Sequence, residues 1–169
     1  MNELKLLFDR LDEIEDKSKL IEITKKEIAF LEHTNPANKK LKELYKEIVS
    51  ELLNFGQIED ARVYVDKGEK KGFGDAVWGR YGNYFRDEHL KGIDIDCNNI
   101  HIFSEVFSAY QNAAKFNGAF GNYMLGTFFE QRNNKDYALK YYSKSTKSEG
   151  CSVFKLLAEE RLQILKGFF

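Results

Sequence analysis

Apolar side chains return every three or four positions along most of the chain, the spacing of a helix face that meets a core. Leu4, Leu7, Leu11 and Ile14 align behind Asn2, and Ile21, Thr24, Ile28 and Leu31 align behind Ser18. Asn35-Pro36 predicts the start of a third helix. Asparagine caps well, and proline at the first helical position loses only an amide that has no partner there. Leu41, Leu44, Ile48 and Leu52 carry that helix to Gly56, a residue suited to the left-handed C-cap. Further helices are predicted over 58–71, 75–85, 100–116, 120–131, 137–147 and 152–166. Residues 86–98 have no helical period and read as a loop, with extended backbone hinted only at 92–96. A single proline, Pro36, agrees with long uninterrupted helices.

An internal spacing organises the second part of the chain. Tyr64, Tyr110 and Tyr142 each lie eight residues before a glycine, namely Gly72, Gly118 and Gly150. A small residue, Gly68, Ala114 or Thr146, stands four before each glycine. The helices that follow carry Trp78-Gly79, Leu125-Gly126 and Leu157-Ala158. The spacing predicts helix pairs: the glycine ends the first helix, the small residues admit a close neighbour, and the aromatic fills the space beside it. A pair leaves one apolar side uncovered, so pairs stack. The expectation is one domain over 1–169, with a helical cap at 1–56 and about three helix pairs over 57–169, interrupted by an insertion at 86–98.

The stretch Asp136-Tyr137-Ala138-Leu139-Lys140-Tyr141-Tyr142-Ser143-Lys144-Ser145-Thr146 resembles the first helix of a tetratricopeptide repeat, above all of its Sel-like relatives. Tyr110-Gln111-Asn112-Ala113-Ala114-Lys115, followed by Tyr123-Met124-Leu125-Gly126, resembles it too. The resemblance covers about 58–165. It implies an all-α fold, an α-solenoid of antiparallel helix pairs, whose concave face holds a protein or peptide.

Charge argues against one class of partner. Lys and Arg number 26 against 27 Asp and Glu, a formal net charge of −1, so no global field draws the chain to nucleic acid or anionic lipid. Two cysteines, Cys97 and Cys151, do not make a disulfide framework and read as free thiols. The first sixteen residues lack the basic start and apolar run of a signal peptide, and no stretch is long enough to span a membrane, so a cytoplasmic location is expected.

Candidate chemistry is sparse. Asp94, Asp96, Asn98 and Glu105 fall at the first, third, fifth and twelfth places of a calcium loop. Asn99 stands where that loop needs glycine and His101 where it needs a branched apolar residue, so a polar loop capping the next helix is the preferred reading. His33, His89 and His101 form no metal-binding spacing. Gly72-Phe73-Gly74 and Gly79-Arg80-Tyr81-Gly82 follow helices rather than strands, the wrong setting for a phosphate loop. Glu13 with Asp16, and Glu43 with Glu47, read as solvated stripes. No cofactor, resident metal or catalytic group is expected, and the chain does not read as an enzyme.

Aromatic residues make up 14% of the chain, more than three repeats use. Tyr81, Tyr84, Tyr141 and Phe168-Phe169 have no evident core place, and aromatics and arginine are enriched where proteins meet. Candidate partner-binding residues are therefore Tyr81, Tyr84, Arg86, Asp87, Glu88, Asp94 and Asp96, together with the basic face of Lys140, Tyr141, Lys144 and Lys147. The expected function is a non-catalytic protein-binding module, in its most specific form a cytosolic immunity or antitoxin protein that covers a toxin domain. An adaptor or scaffold is the alternative. An RNA-binding repeat and a calcium-responsive switch are the readings from other classes.

Overall fold

The computed structural model describes residues 17–89 and 100–167. They form eight α-helices with no strand among the described residues: α1 (Lys17–Thr34), α2 (Lys40–Asn54), α3 (Ile58–Lys70), α4 (Gly74–Tyr84), α5 (Ile100–Phe116), α6 (Gly118–Glu130), α7 (Lys135–Lys147) and α8 (Ser152–Lys166). A π-helical turn, Phe85–His89, continues α4. The expected first helix, the stretch at 92–96, Asp94, Asp96, Cys97 and Phe168-Phe169 lie outside the described residues.

Periodicity located most helices to within two residues, and two local readings are corrected. The third helix starts at Lys40, not at Pro36. Pro36 sits in a turn closed by Asn38 N–H on the Asn35 carbonyl at 3.0 Å, and Asn38 Oδ1 takes the Lys40 amide at 2.9 Å. Asn38 thus supplies the polar side chain at the helix start that Asn35 was expected to provide. Arg86 to His89 are π-helical rather than loop. Elsewhere the stops are as expected: Gly56 and Gly72 take positive φ, +70° and +82°, immediately after α2 and α3.

One hydrophobic cluster runs from Ile21 to Ala158. Each helix packs on its neighbours in the chain, and α2 also packs on α4, α4 on α6, and α6 on α8. Helix α2 is flanked by α1, α3 and α4, so it buries a wide stripe: Leu41, Leu44, Tyr45, Ile48, Val49, Leu52 and Leu53. Burying each such side chain is worth about 1.5–3 kcal/mol.

Helices α3, α5 and α7 share an i, i+3, i+4, i+7 stripe: Ala61, Tyr64, Val65, Gly68 in α3, Val106, Ala109, Tyr110, Ala113 in α5, and Ala138, Tyr141, Tyr142, Ser145 in α7. Tyr110 and Tyr142 are fully buried, but their counterpart in this register is Val65. Tyr64 is only half-buried. The expected alignment of Tyr64 with the other two is corrected by one residue. Its glycine anchors explain the slip, because they serve different ends. Gly72 is a left-handed helix stop, Gly118 opens α6, and Gly150 lies at φ +120° against Asn117.

Glycine also sets helix distance. A Cβ on Gly82 would lie 2.8 Å from the Tyr110 ring, and one on Gly126 would lie 2.5 Å from the Tyr142 ring. Gly82 is therefore the counterpart of Gly126. Gly79, expected in that place, faces Phe120 of α6 instead, at 2.6 Å from a built Cβ.

Three buried tyrosine hydroxyls find side-chain partners, as buried polar groups must. Tyr45 donates to Glu32 at 2.6 Å, Tyr110 to Asn83 at 2.8 Å, and Tyr142 to Glu130 at 2.6 Å. Burial, and at Tyr45 and Tyr142 the adjoining carboxylate, pushes all three phenols well above their ordinary range.

Candidate groove across the even-numbered helices

The contacts among α2, α4, α6 and α8 bring one side chain row of α4 to an open groove of about 310 Å³. Asp75, Ala76, Gly79, Arg80 and Asn83 form that row, at spacings that share one helix face. Lys46 of α2 closes one side. Asn117, Phe120 of α6 and Phe154 of α8 close the other. Gly79 makes the arrangement possible, since any larger residue would drive Phe120 away from α4.

The wall opposite α4 is aromatic. Phe120 and Phe154 meet at 5.0 Å between ring centres, and Tyr123 reaches Phe154 at 5.6 Å. The charges are mostly cancelled. Lys42 holds Asp75 at 2.9 Å, and Glu43 pairs with Lys46. Arg80 is exposed and has no ion pair among the described residues. Both amides commit their oxygens: Asn83 Oδ1 accepts from Tyr110, and Asn117 Oδ1 accepts from the Phe120 amide at 3.1 Å, capping α6. What remains for a ligand is donors, the two NH2 groups and the Arg80 guanidinium, beside an aromatic wall. Such a surface suits carbonyl or carboxylate oxygens next to an apolar side chain.

A second cavity, about 480 Å³, lies between α1 and the turn after α2, with Lys19, Lys25, Lys26, Ile23 and Phe55 in its walls. Ser18 and Glu22 of α1 and Gln57 after α2 also line it.

The residues singled out from sequence scatter. Tyr81 and Tyr141 are core residues, 4% and 7% exposed, which corrects the expectation that they lack a core place. Tyr81 packs between Trp78 and Phe85, and Tyr141 stacks on Phe129 at 5.5 Å. Tyr84 is half-buried against Phe85. Arg86 binds the Asp87 carboxylate through two hydrogen bonds, 2.6 and 2.9 Å. Lys140 and Lys144 are exposed and lie over the rings of Tyr137 and Tyr141 at 5.2 and 5.0 Å, on the far helix row from the groove. The side chains of Glu88, His89 and His101 are outside the description.

Glu105, the twelfth place of the expected calcium loop, faces Arg62 at 3.7 Å. Among the described residues no three His, Cys, Asp or Glu side chains gather as a metal site. Cys151 is exposed at the start of α8. No described helix is long and apolar enough to cross a membrane.

Sequence reasoning missed Lys46, Asn83, Asn117, Phe120 and Phe154, which come from four helices. The one available signal was the Gly79-Arg80 pair: a small residue beside a cation on the same helix face. A scan against protein-family models, a search of curated proteins and a search of solved structures each give no match to this chain.

Proposed function

We propose that the chain is a non-catalytic protein-interaction module, a short α-solenoid of antiparallel helix pairs whose even-numbered row holds an extended segment of another protein. The observation that carries this reading is the groove itself. Four helices converge on an aromatic wall, two amide donors and one guanidinium that have no partner among the described residues. Those donors match the carbonyls of an extended backbone, and the Phe120–Phe154 wall accepts one apolar side chain. Packing of each even-numbered helix on the next supports a stacked arrangement. The likeness of 136–146 to a tetratricopeptide first helix points the same way. In its most specific form the module is a cytosolic immunity or antitoxin protein whose groove grips a toxin domain.

Site-specific photocrosslinking tests the face. A photoreactive residue replacing Arg80 is expected to capture a discrete partner, and one replacing Lys144 on α7 is not. Arg80→Glu is expected to abolish complex formation with unchanged melting temperature, because Arg80 makes no ion pair among the described residues. Capture at position 144 alone would move the interface to the opposite helix row and refute the groove reading.

A further inference from the structure

Among the described helices, α1 and α8 stand at the two ends of the packing order: α1 packs on α2, and α8 on α7 and α6. Thr24, Ile28 and Leu31 turn inward from α1, and Ala158 from α8. The end helix of a stacked array ordinarily shows water a polar face. These two do not. On α8, Val153, Leu156, Glu160 and Ile164 share one face by their three- and four-residue spacing, opposite Ala158. Its three apolar side chains are exposed, Leu156 by 64%. On α1, Ile23, Lys26 and Phe30 share the face opposite the buried stripe, and Phe30 is 60% exposed.

The two faces carry opposite charge. Glu160 and its neighbour Glu159 are exposed, and so is Lys26. None of the three has an ion pair among the described residues. Glu22 and Lys25, beside the α1 face, offset each other at 3.7 Å. Next to that face lies the cavity of about 480 Å³ with Ile21, Ile23 and Phe55 as its apolar walls. One end of the molecule thus offers protruding aliphatic side chains around an acid. The other offers apolar side chains, a hollow and a base. Either face laid on its own kind brings like charges together, which is costly, whereas one face laid on the other pairs them.

We infer that copies of this chain associate head to tail, the outer face of α8 in one copy seating on the outer face of α1, and the hollow beside it, in the next. With the two helices running in opposite directions, Leu156, Glu160 and Ile164 meet Phe30, Lys26 and Ile23 in that order. Apolar side chains then meet apolar ones, and Glu160 meets Lys26. Ile164 enters the hollow that Ile23 and Phe55 line. Exposed apolar side chains clustered on one face, rimmed by charge, mark a surface that another protein covers. The contact joins two different patches, so each added copy leaves one of each patch open, and the assembly grows as a chain unless its rotation closes a ring. The α8 face lies away from Phe154, which is the residue that α8 gives to the groove. Self-association is therefore separate from the binding of a segment in the groove.

Sedimentation velocity of the whole chain over a hundredfold range of concentration tests this, and the weight-average mass is expected to climb with concentration. Glu160→Lys and Lys26→Glu each set like charges across the contact. Each alone is expected to weaken association more than tenfold with an unchanged circular dichroism spectrum, since both side chains are exposed. An equal mixture of the two variants is expected to associate again, because each α8 face then finds an α1 face of opposite charge. Leu156→Ser is expected to weaken association at low and high salt alike, and Arg80→Glu, which alters the groove, to leave it unchanged. A wild-type chain that keeps the mass of one copy throughout overturns the inference and leaves the two faces to a different protein. A Lys26→Glu variant that associates like wild type also overturns it, as does a mixture that associates no better than its components.

Discussion

Gly126→Ala sets helix propensity against packing. Propensity alone predicts a gain of about 1 kcal/mol, since alanine replaces glycine inside α6. The structure predicts the opposite sign. The new Cβ would stand 2.5 and 2.6 Å from two ring carbons of Tyr142, a ring with no exposed surface to retreat into. Overpacking of this kind costs about 1–3 kcal/mol. A displaced ring also draws its hydroxyl off Glu130, now 2.6 Å away, and a hydrogen bond to a charged group is worth about 1.5–3 kcal/mol. Against the gain of about 1 kcal/mol, the net is a loss of about 1.5–5 kcal/mol. At about 2–4 °C per kcal/mol for a domain of this size, the melting temperature should fall by roughly 3–20 °C. Urea unfolding followed by far-ultraviolet circular dichroism measures it directly. In a Tyr142→Leu background the clash is gone, and the same substitution should become neutral or stabilising. A single mutant with a raised urea midpoint would refute the claim that the glycine exists to seat the tyrosine.

Acid should loosen the Glu32–Tyr45 node and the Glu130–Tyr142 node first. Burial pushes the Glu130 and Glu32 carboxyls up, but hydrogen bonds from Arg161 and Tyr142, and from Tyr45 and Lys71, outweigh it and hold both below their ordinary 4.5. A depressed folded value gives stability that is fully present above 4.5 and lost as pH falls through the folded value. Glu130→Gln should flatten that part of the stability–pH curve, and an unchanged acid limb would count against the node. Asn117→Ala removes the cap on the Phe120 amide and should cost about 1 kcal/mol by urea titration, while a cost near zero would mean that the helix start is held otherwise.

Helices were legible because their apolar period is local. Leu41, Leu44, Ile48 and Leu52 announce α2, and all four are fully buried. Local chemistry was less secure. Asn35-Pro36 carried a sound capping signal, yet a turn through Asn38 intervenes, because that choice depends on how α1 and α2 meet. The internal spacing was visible but misaligned at Tyr64, since three glycines with different backbone roles share one spacing from a tyrosine. Tyr81 and Tyr141 looked surplus because a stripe three or four residues wide was assumed; helices with neighbours on both sides bury more of their circumference. The groove was beyond reach for a related reason. Lys46, Arg80, Asn117 and Phe154 are strangers in sequence and become neighbours only through α2–α4–α6–α8 packing.

That same packing orders the elements by how readily each detaches. Helix α8 lies at one end of the row and has a single fully buried residue, Ala158, against seven in α2. Local opening follows the contacts an element forfeits, so amide hydrogens of α8 should exchange well before those of α2. Phe154, one side of the groove, rides on that loosely held end helix. Its opposite, Lys46, stands on the most deeply embedded one. The groove therefore has one fixed jaw and one compliant jaw, and its width can adapt without cost to the core.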